Sequence, residues 1–188
     1  ARLTELGIAL FHNVAPLVPK HALNTIEAAA LGKDGIAFIS PDAPNRWRWA
    51  ALLRALAYEP DLFDRAAFLL AHFCAAEPEN YKHNSTQSAF KELFHLYLSG
   101  THALSEQRLA LIRHLLDSDN PKLQACALEA LDAMLEAWHF SSSHDFSFGA
   151  RSRDFGWEPK TRDELAAWFR AAISLVRELT LSTSPYRE

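Results

Sequence analysis

The chain has 188 residues, of which 49% are apolar and 22% are charged, and its formal net charge is −4. This length predicts one domain, residues 1–188, with a core of its own. The acidic balance argues against a dedicated nucleic-acid binder, because such a protein needs a basic face. The apolar runs fall short of the roughly 20 residues that a membrane span requires, so we predict no membrane partner.

The two cysteines, Cys74 and Cys126, lie far apart, each inside a helical pattern. This favours two separate buried thiols over a disulfide or a metal pair. It also fits a reducing cytosol, so the predicted location is cytoplasmic. Glu5 and His12 interrupt the first apolar segment, which argues against a signal peptide. The chain begins with Ala1 rather than Met, as expected after initiator removal or for a piece of a longer protein.

Residues 1–45 are predicted to form a pair of helices and a connector. The first helix covers about 2–14, and the apolar residues on one of its faces are Leu3, Leu6, Leu10 and Phe11. Pro19 opens the second helix, and Gly32 ends it as a left-handed residue. The run "GIAFIS" (35–40) is strand-like in residue type. It has no partner strand, so we predict a buried connector.

Residues 46–139 are predicted to form helices that pack in pairs. The apolar residues at helical spacing in the first of them, 46–58, are Trp49, Leu52, Leu53 and Leu56. Pro60 starts the next helix, because proline is favoured in the first helical turn. After a polar break, "STQSAFKELFHLYLS" is predicted to be one helix that Gly100 ends.

The next two helices are "SEQRLALIRHLLDS" and "PKLQACALEALDAMLEAWHF", the second of which starts at Pro121 after an asparagine cap. A weak internal repeat links them to the preceding pair. Residues 53–73 can be laid over 112–134, so that Arg54 matches Arg113 and suggests a shared surface row. Such hairpins bury their apolar faces by stacking. We therefore predict an all-α fold of about eight helices in stacked antiparallel hairpins, a HEAT-like α-solenoid.

Residues 140–160, "FSSSHDFSFGARSRDFGWEPK", interrupt the helical pattern with serines, aromatics and two glycines. We predict one long ordered loop, because long loops in compact domains are functional or disordered and this one is too aromatic for disorder. Thr161 and Glu164 have the spacing of a capping box. The box begins the last helix, 161–181, whose inward residues are Leu165, Trp168, Phe169, Ala172, Val176 and Leu179.

The stacked hairpins with proline at the turn resemble HEAT or armadillo-type repeats over about residues 46–140. The phrases "FHNVAPLVPKHAL", "HLYLSGTH" and "AWHFSSSHDFSFGARSRDFGW" are similar to the helical region that accompanies the nucleotide-binding module of large bacterial STAND-type signalling NTPases. The resemblance implies a sensor or scaffold within a larger protein, whose ATP chemistry belongs to another domain. The chain departs from the full family plan, since it has no GxxxxGK[ST] loop, and no catalytic residue carries over.

His144 and Asp145 are the candidate metal ligands of an alternative interpretation, a small all-helical HD-type phosphohydrolase. That chemistry needs a further histidine on an earlier helix, such as His72 or His95, and an aspartate on a later one, such as Asp163. The run "SSSHDFSFG" is a poor helix because its serines compete for backbone hydrogen bonds. Loop bracing is therefore the preferred interpretation of the pair, and no bound metal is predicted.

A second enzymatic alternative is a helical-repeat protein similar to DNA glycosylases, in which arginines and tryptophans grip phosphate and a lesion. The local match is "NRWRW" (45–49), with Arg46 and Arg48 beside Trp47 and Trp49. On a helix, Trp49 would face the core and Trp47 would lie on another side. The acidic balance of the chain opposes this alternative.

Protein recognition is the function that requires no specific motif, because exposed aromatics beside arginines supply binding energy at interfaces. The predicted binding residues are Trp47, Arg48, Arg151, Arg153, Phe155 and Trp157. The alternative for each is packing, with Arg151 or Arg153 paired to Asp145 or Asp154. We predict a non-catalytic helical repeat scaffold or sensor without a cofactor. Its partner would be a protein, a recognised ligand or another domain of the same polypeptide.

Overall fold

The structure is a computed structural model that describes residues 4–78, 86–138, 140–142 and 145–181. Within these ranges the chain forms nine α-helices, one 3₁₀ helix (Glu92–Phe94) and no β-strand, so the all-α prediction is confirmed. The α-helices are α1 (Glu5–Val14), α2 (Pro19–Ala30), α3 (Gly35–Ile39), α4 (Arg46–Leu56), α5 (Pro60–Ala76), α6 (Thr86–Lys91), α7 (Ser105–Leu116), α8 (Pro121–Leu135) and α9 (Arg162–Leu181). None of the described helices is long and apolar enough to cross a membrane.

The helix starts follow the sequence closely. Proline occupies the first turn of three helices, at Pro19, Pro60 and Pro121. The Asn120 side chain caps α8 by accepting a hydrogen bond from the Lys122 backbone N–H at 3.0 Å. The predicted capping box of α9 is present, since the Glu164 N–H donates to Thr161 Oγ1 at 3.2 Å and the Thr161 N–H donates to Glu164 Oε2 at 3.0 Å.

The core lies between two helix pairs, α4 with α5 and α7 with α8, and α5 packs directly against α8. Helix α2 covers α4 and α5 on one side, while α9 covers α7 and α8 on the other. The predicted inward residues of α4 are all buried: Trp49, Leu52, Leu53 and Leu56. Burying each such side chain contributes about 1.5–3 kcal/mol, so these interlocking faces hold the described helices together.

The prediction of a buried connector for 35–40 is correct only in part. Gly35–Ile39 forms the short helix α3, in which Phe38 and Ile39 pack against the core while Ile36 is exposed. Gly35 makes this helix possible. Its N–H donates to the Gly32 carbonyl at 2.9 Å, and a Cβ at Gly35 would lie 2.0 Å from the Ala30 carbonyl oxygen. Only glycine permits such a close approach of two backbone segments.

The single long helix predicted to end at Gly100 is wrong. Helix α6 ends at Lys91, the 3₁₀ helix follows, and the chain is irregular from His95 onward. The reason is Arg108, which is completely buried on α7. Its guanidinium group donates to the carbonyls of Leu93 and His95, both at 2.8 Å, and to the Ser99 hydroxyl at 3.2 Å. Carbonyls that turn toward a buried cation cannot also continue a helical ladder.

Three further expectations are corrected. Helix α8 ends at Leu135 rather than near residue 140, and Trp138 beyond it is exposed. Arg54 and Arg113 do not form a surface row, because Arg54 is buried against Glu92. The two cysteines are buried as predicted, but they are not separate, since their sulfur atoms lie 3.1 Å apart. The helices α5 and α8 that carry them pack against each other.

The first helix turns its predicted apolar face outward. Leu6 and Leu10 are exposed, while Ile8 is buried and Phe11 packs edge-on against Trp49 at 5.5 Å between ring centroids. Leu3 lies outside the described residues. Of the predicted apolar face, only Phe11 therefore contacts the core among the described residues, and the buried Ile8 was not part of that prediction.

Candidate functional site

The loop before α9 is fixed to the irregular segment after the 3₁₀ helix by its backbone. The Gly100 N–H donates to the Phe155 carbonyl and the Trp157 N–H donates to the Thr101 carbonyl, both at 2.8 Å. Gly156, between them, has φ +91°, and a Cβ there would lie 2.5 Å from backbone atoms of Thr101. The glycine of "RDFG" is therefore required by close backbone approach, which is a structural role.

Asp154 connects the two segments at this junction through one carboxylate oxygen. Its Oδ1 accepts hydrogen bonds from the Gly156 N–H at 2.9 Å and the Tyr58 hydroxyl at 3.1 Å, and it lies 2.9 Å from Nε2 of His102. Burial opposes ionisation of Asp154, but these hydrogen bonds and the nearby His102 outweigh it and lower its pKa. The pKa of Tyr58 is raised by burial and by its bond to this carboxylate.

Arg153 lies inside the loop rather than on its surface, with only 4% of its side chain exposed. Its guanidinium group sits between the rings of Tyr58 and Phe148, at 4.2 and 4.3 Å from their centroids. It donates to the Ala55 carbonyl at 2.6 Å and lies 3.9 Å from a carboxylate oxygen of Glu59. Burial lowers its pKa. Packing is therefore the observed environment of Arg153, with Glu59 in place of the predicted Asp145 or Asp154.

The start of the loop covers a second buried arginine, Arg54 of α4. Its Nη2 lies 3.2 Å from Oε2 of Glu92, and the Ser142 hydroxyl donates to the same oxygen at 2.9 Å. The Phe146 ring faces the guanidinium group of Arg54 at 5.5 Å. Gly100 leaves room for both, since a Cβ there would lie 2.9 Å from the Phe146 ring. The loop thus covers the buried ion pair of Arg54 and Glu92.

A cleft of about 340 Å³ separates α1 and α4 from the loop. Its polar lining comes from His12 and Asn13 on α1, Arg54 on α4, and Asp145 and Ser147 on the loop. Burial, followed by the charge of Arg48, lowers the pKa of His12, so the cleft favours a neutral imidazole. The surfaces of α1 and the loop therefore face each other across this cleft.

The predicted metal pair is described only in part, because His144 lies outside the described residues. Asp145 accepts hydrogen bonds from the Ser147 N–H at 2.8 Å and the Ser147 hydroxyl at 2.7 Å, and these bonds lower its pKa. It therefore closes a local turn. His95 lies 3.3 Å from Glu136, and His72 packs against the Phe68 ring. The described part of the chain contains no group of three metal-ligating side chains.

The remaining predicted binding residues are at least partly accessible. Trp47 is exposed and contacts the Arg48 guanidinium group, whose centre lies 5.3 Å from the ring centroid. Arg151 is exposed, and Phe155 is exposed while its ring packs on Phe146 at 5.2 Å. Trp157 is half-buried, because it stacks on Trp168 at 5.5 Å with an interplanar angle of 16°. Their part in binding stays a prediction.

The "NRWRW" segment is divided between the core and the surface. Trp49 is buried and Trp47 is exposed, as predicted from their positions on a helix. Arg46 is buried and forms an ion pair with Glu77 at 2.5 Å. Because that charge is already neutralised inside the protein, Arg46 is not positioned to grip a phosphate group.

Helix α1 carries an accessible apolar surface. Its exposed side chains repeat every four residues, at Leu6, Leu10 and Val14, and Leu17 follows in the next turn. We call these four residues the α1 stripe. Ala9 and Asn13 lie beside them and are also exposed, so this face carries no charge between Leu6 and Leu17. A helix face of this kind is typical of an interaction surface rather than of a solvated one.

Sequence reasoning did not predict the hydrogen bonds of Asp154 or the burial of Arg108, although the sequence contains a sign of each. His102 and Asp154 belong to the unusual phrases "HLYLSGTH" and "RDFG", each of which has a glycine in a left-handed conformation, Gly100 and Gly156. Arg108 shares the inward spacing of Ile112 on α7. A charged residue at a core position of a helical pattern is the observation that could have identified it.

The fold and the site define an all-helical protein in which Asp154 holds the loop before α9 and α1 exposes an apolar face. Comparisons of the chain with protein-family models, curated proteins and solved structures gave no match.

Proposed function

We propose that this chain is a non-catalytic helical recognition module and that the α1 stripe binds a protein partner. The loop surface across the cleft, with Arg151 and Phe155, extends the same interface. The single observation that carries the proposal is the exposure of Leu6, Leu10 and Val14 along one uncharged helix face. Solvent exposure of such a face is unfavourable, and a partner that covers it gains the corresponding free energy.

The chemistry of the stripe defines the partner. Leu6 and Val14 are eight residues apart, which corresponds to about 12 Å along a helix. The partner is therefore expected to present an apolar face of about two turns, most simply another amphipathic helix. It should lack charged groups at the contact, because the stripe offers no counter-charge and burying an unpaired charge is costly.

The arrangement of helix pairs supports a repeat architecture for this module. The pair α4 and α5 and the pair α7 and α8 each join across a proline turn, and α5 packs against α8. We propose that these are two HEAT-like hairpins of a short solenoid, in which each pair buries its apolar face against the next. Cytoplasmic location and association with a larger bacterial STAND-type protein remain predictions from the sequence.

A binding role rather than a catalytic one is supported by the polar side chains of the loop. Asp154, Arg153 and Asp145 all hold the loop in place through hydrogen bonds to its own backbone or to neighbouring segments. Catalysis needs groups directed at a substrate position, whereas these groups are directed at the protein.

Site-specific photo-cross-linking in cells tests the proposal. A photoreactive amino acid replaces Leu10, which is 55% exposed, and in a matched control it replaces Ile173 on α9, which is 56% exposed. We expect a covalent adduct with another protein from the Leu10 position and none from the Ile173 position. Equal adducts from both positions, or none from either, would contradict the proposal.

A second copy of the chain is the competing occupant of the stripe. Light scattering of the purified protein separates the two cases. A dimer that Leu10→Glu dissociates and Ile173→Glu preserves would identify self-association in place of a distinct partner. A monomer in both variants and in the unaltered protein is the expected result.

A further inference from the structure

The only two cysteines of the chain meet inside the core. Cys74 lies in the last turn of α5 and Cys126 in the second turn of α8, and their sulfur atoms are 3.1 Å apart. Both thiols are free. Two thiols in direct contact on packed helices are positioned for chemistry that a single buried thiol cannot perform.

The contact makes the two thiols unequal. In the neutral pair the Cys126 thiol donates a hydrogen bond to the Cys74 sulfur. The hydrogen bonding between the two sulfurs lowers the pKa of Cys126, although burial opposes this change. The contact with Cys126, together with burial, raises the pKa of Cys74. Cys126 is therefore the thiol that ionises first, and the thiolate is the reactive form of cysteine.

We propose that Cys74 and Cys126 form a redox-sensitive dithiol that closes to an intrachain disulfide in the presence of a peroxide. In the first step the Cys126 thiolate attacks one peroxide oxygen, the O–O bond breaks, and Cys126 becomes a sulfenic acid while hydroxide leaves. In the second step the Cys74 sulfur attacks the sulfenic sulfur and displaces its oxygen. With hydrogen peroxide, two thiols and one oxidant give one disulfide and two waters.

Burial selects the oxidant. Cys74 is 9% exposed and Cys126 is 6% exposed as whole residues, so a folded protein disulfide has little access to this pair. A disulfide-exchange enzyme would need to approach the sulfur directly, because exchange proceeds through a mixed disulfide. A molecule of the size of hydrogen peroxide is a better match, and a resolving thiol in contact prevents further oxidation of the first one.

The disulfide would connect the two central helix pairs. The cysteines are 52 positions apart in sequence, and α5 and α8 form the contact between the pairs. A cross-link over a segment of this length restricts the unfolded chain strongly. Next to it lies the buried ion pair of Arg46 with Glu77, whose carboxylate also accepts a hydrogen bond from the Thr86 N–H at 2.8 Å. Oxidation would thus strengthen the point at which α4, α5, α6 and α8 meet.

Mass spectrometry of the purified, reduced protein after treatment with stoichiometric hydrogen peroxide tests the proposal. We expect a monomer that has lost two hydrogen atoms, in which neither thiol reacts with an alkylating reagent after denaturation. Dithiothreitol should restore both thiols. The melting temperature of the oxidised form should rise by roughly 10 °C, because the cross-link restricts the unfolded state.

The single variants Cys74→Ala and Cys126→Ala provide the controls. Each should fail to lose two hydrogen atoms, and the thiol that remains should add oxygen instead, because the resolving partner is missing. The proposal is overturned if the unaltered protein adds oxygen atoms, forms cross-linked dimers or retains both thiols. The measurement on the unaltered protein decides the matter even if a variant does not fold.

Discussion

The first helix and the last described helix show opposite ways of packing against the same core. Helix α9 buries Trp168, Ala172 and Leu175 and exposes mainly charged and small residues. Helix α1 buries Ile8 and leaves Leu6, Leu10 and Val14 in solvent. Both helices are amphipathic in sequence, but only in α9 does the apolar face coincide with the buried one.

The outer face of α9 is thus mainly polar, whereas the outer face of α1 is apolar. A terminal element needs a polar outer face to remain solvated, and α9 has one. The face of α1 lacks that property, and this contrast is the reason for proposing α1 as the recognition surface. The comparison also explains why exposure alone is a poor guide, since Ile173 on α9 is as exposed as Leu10 but has charged neighbours, Arg170 and Arg177.

The largest expected effect comes from breaking the inner face of α9 with Trp168→Ala. Trp168 is fully buried, its indole N–H donates to the Met134 carbonyl at 2.8 Å, and the Arg108 guanidinium group faces its ring at 4.9 Å. We expect the free energy of unfolding to fall by about 3–5 kcal/mol. Urea denaturation measures this change, and Ile173→Ala on the outer face is the control, with a change below about 0.5 kcal/mol.

The second effect concerns the loop that precedes α9 and faces α1 across the cleft. Gly156→Ala places a Cβ 2.5 Å from the Thr101 backbone at a positive φ. We expect a loss of about 1–3 kcal/mol from the strain, measured by urea denaturation. Faster amide hydrogen exchange at Gly100 and Trp157, whose N–H groups hold the junction, should accompany it. Unchanged exchange at these two sites would show that the junction does not depend on glycine.

A smaller effect, with a defined pH dependence, is expected for Asp154→Asn. Hydrogen bonds lower the pKa of Asp154 in the folded state. Its contribution to stability is therefore present above its ordinary pKa of about 3.9 and is lost as the pH falls through the lower folded value. Because the side chain is mostly exposed, we expect only about 0.5–1 kcal/mol at pH 6. The variant and the unaltered protein should become equally stable near pH 2, and a difference that persists there would contradict this account.

The smallest expected effect on stability comes from Leu10→Glu, which changes the exposed face of α1. The isolated chain should change by less than about 0.5 kcal/mol, because Leu10 lies on the exposed surface of α1. Thermal unfolding measures this, with Ile8→Ala on the inner face as the contrast. Ile8 is buried, so its truncation should cost about 2–4 kcal/mol. Similar losses for both variants would show that the stripe is part of the fold.

Sequence patterns predicted most of the fold because local rules decide it. Proline at Pro60 and Pro121, the Asn120 cap and the Thr161–Glu164 box act within one helical turn. The failures involve long-range contacts. The helix predicted up to Gly100 is interrupted because the carbonyls of Leu93 and His95 accept hydrogen bonds from Arg108 instead of continuing the helix. The contact between Cys74 and Cys126 requires the packing of α5 on α8.

The site was less predictable than the fold for the same reason. Helical spacing placed Trp47 outside and Trp49 inside, since that distinction depends on one helix. It could not show that Arg153 would be enclosed between Tyr58 and Phe148, because Tyr58 lies far away in the sequence and the loop that carries Phe148 has no regular periodicity. The orientation of α1 could not be predicted either, because an amphipathic pattern does not show which face of the helix contacts the core.

Affinity for the cross-linked partner is the most direct test of the central claim that the α1 stripe is a recognition surface. The partner identified from the Leu10 position would be purified and titrated against the unaltered chain, Leu10→Glu and Ile173→Glu by biolayer interferometry. We predict that Leu10→Glu weakens binding roughly tenfold or more, because a buried leucine contributes about 1.5–3 kcal/mol, while Ile173→Glu leaves it unchanged. Equal affinity of all three proteins would contradict the claim.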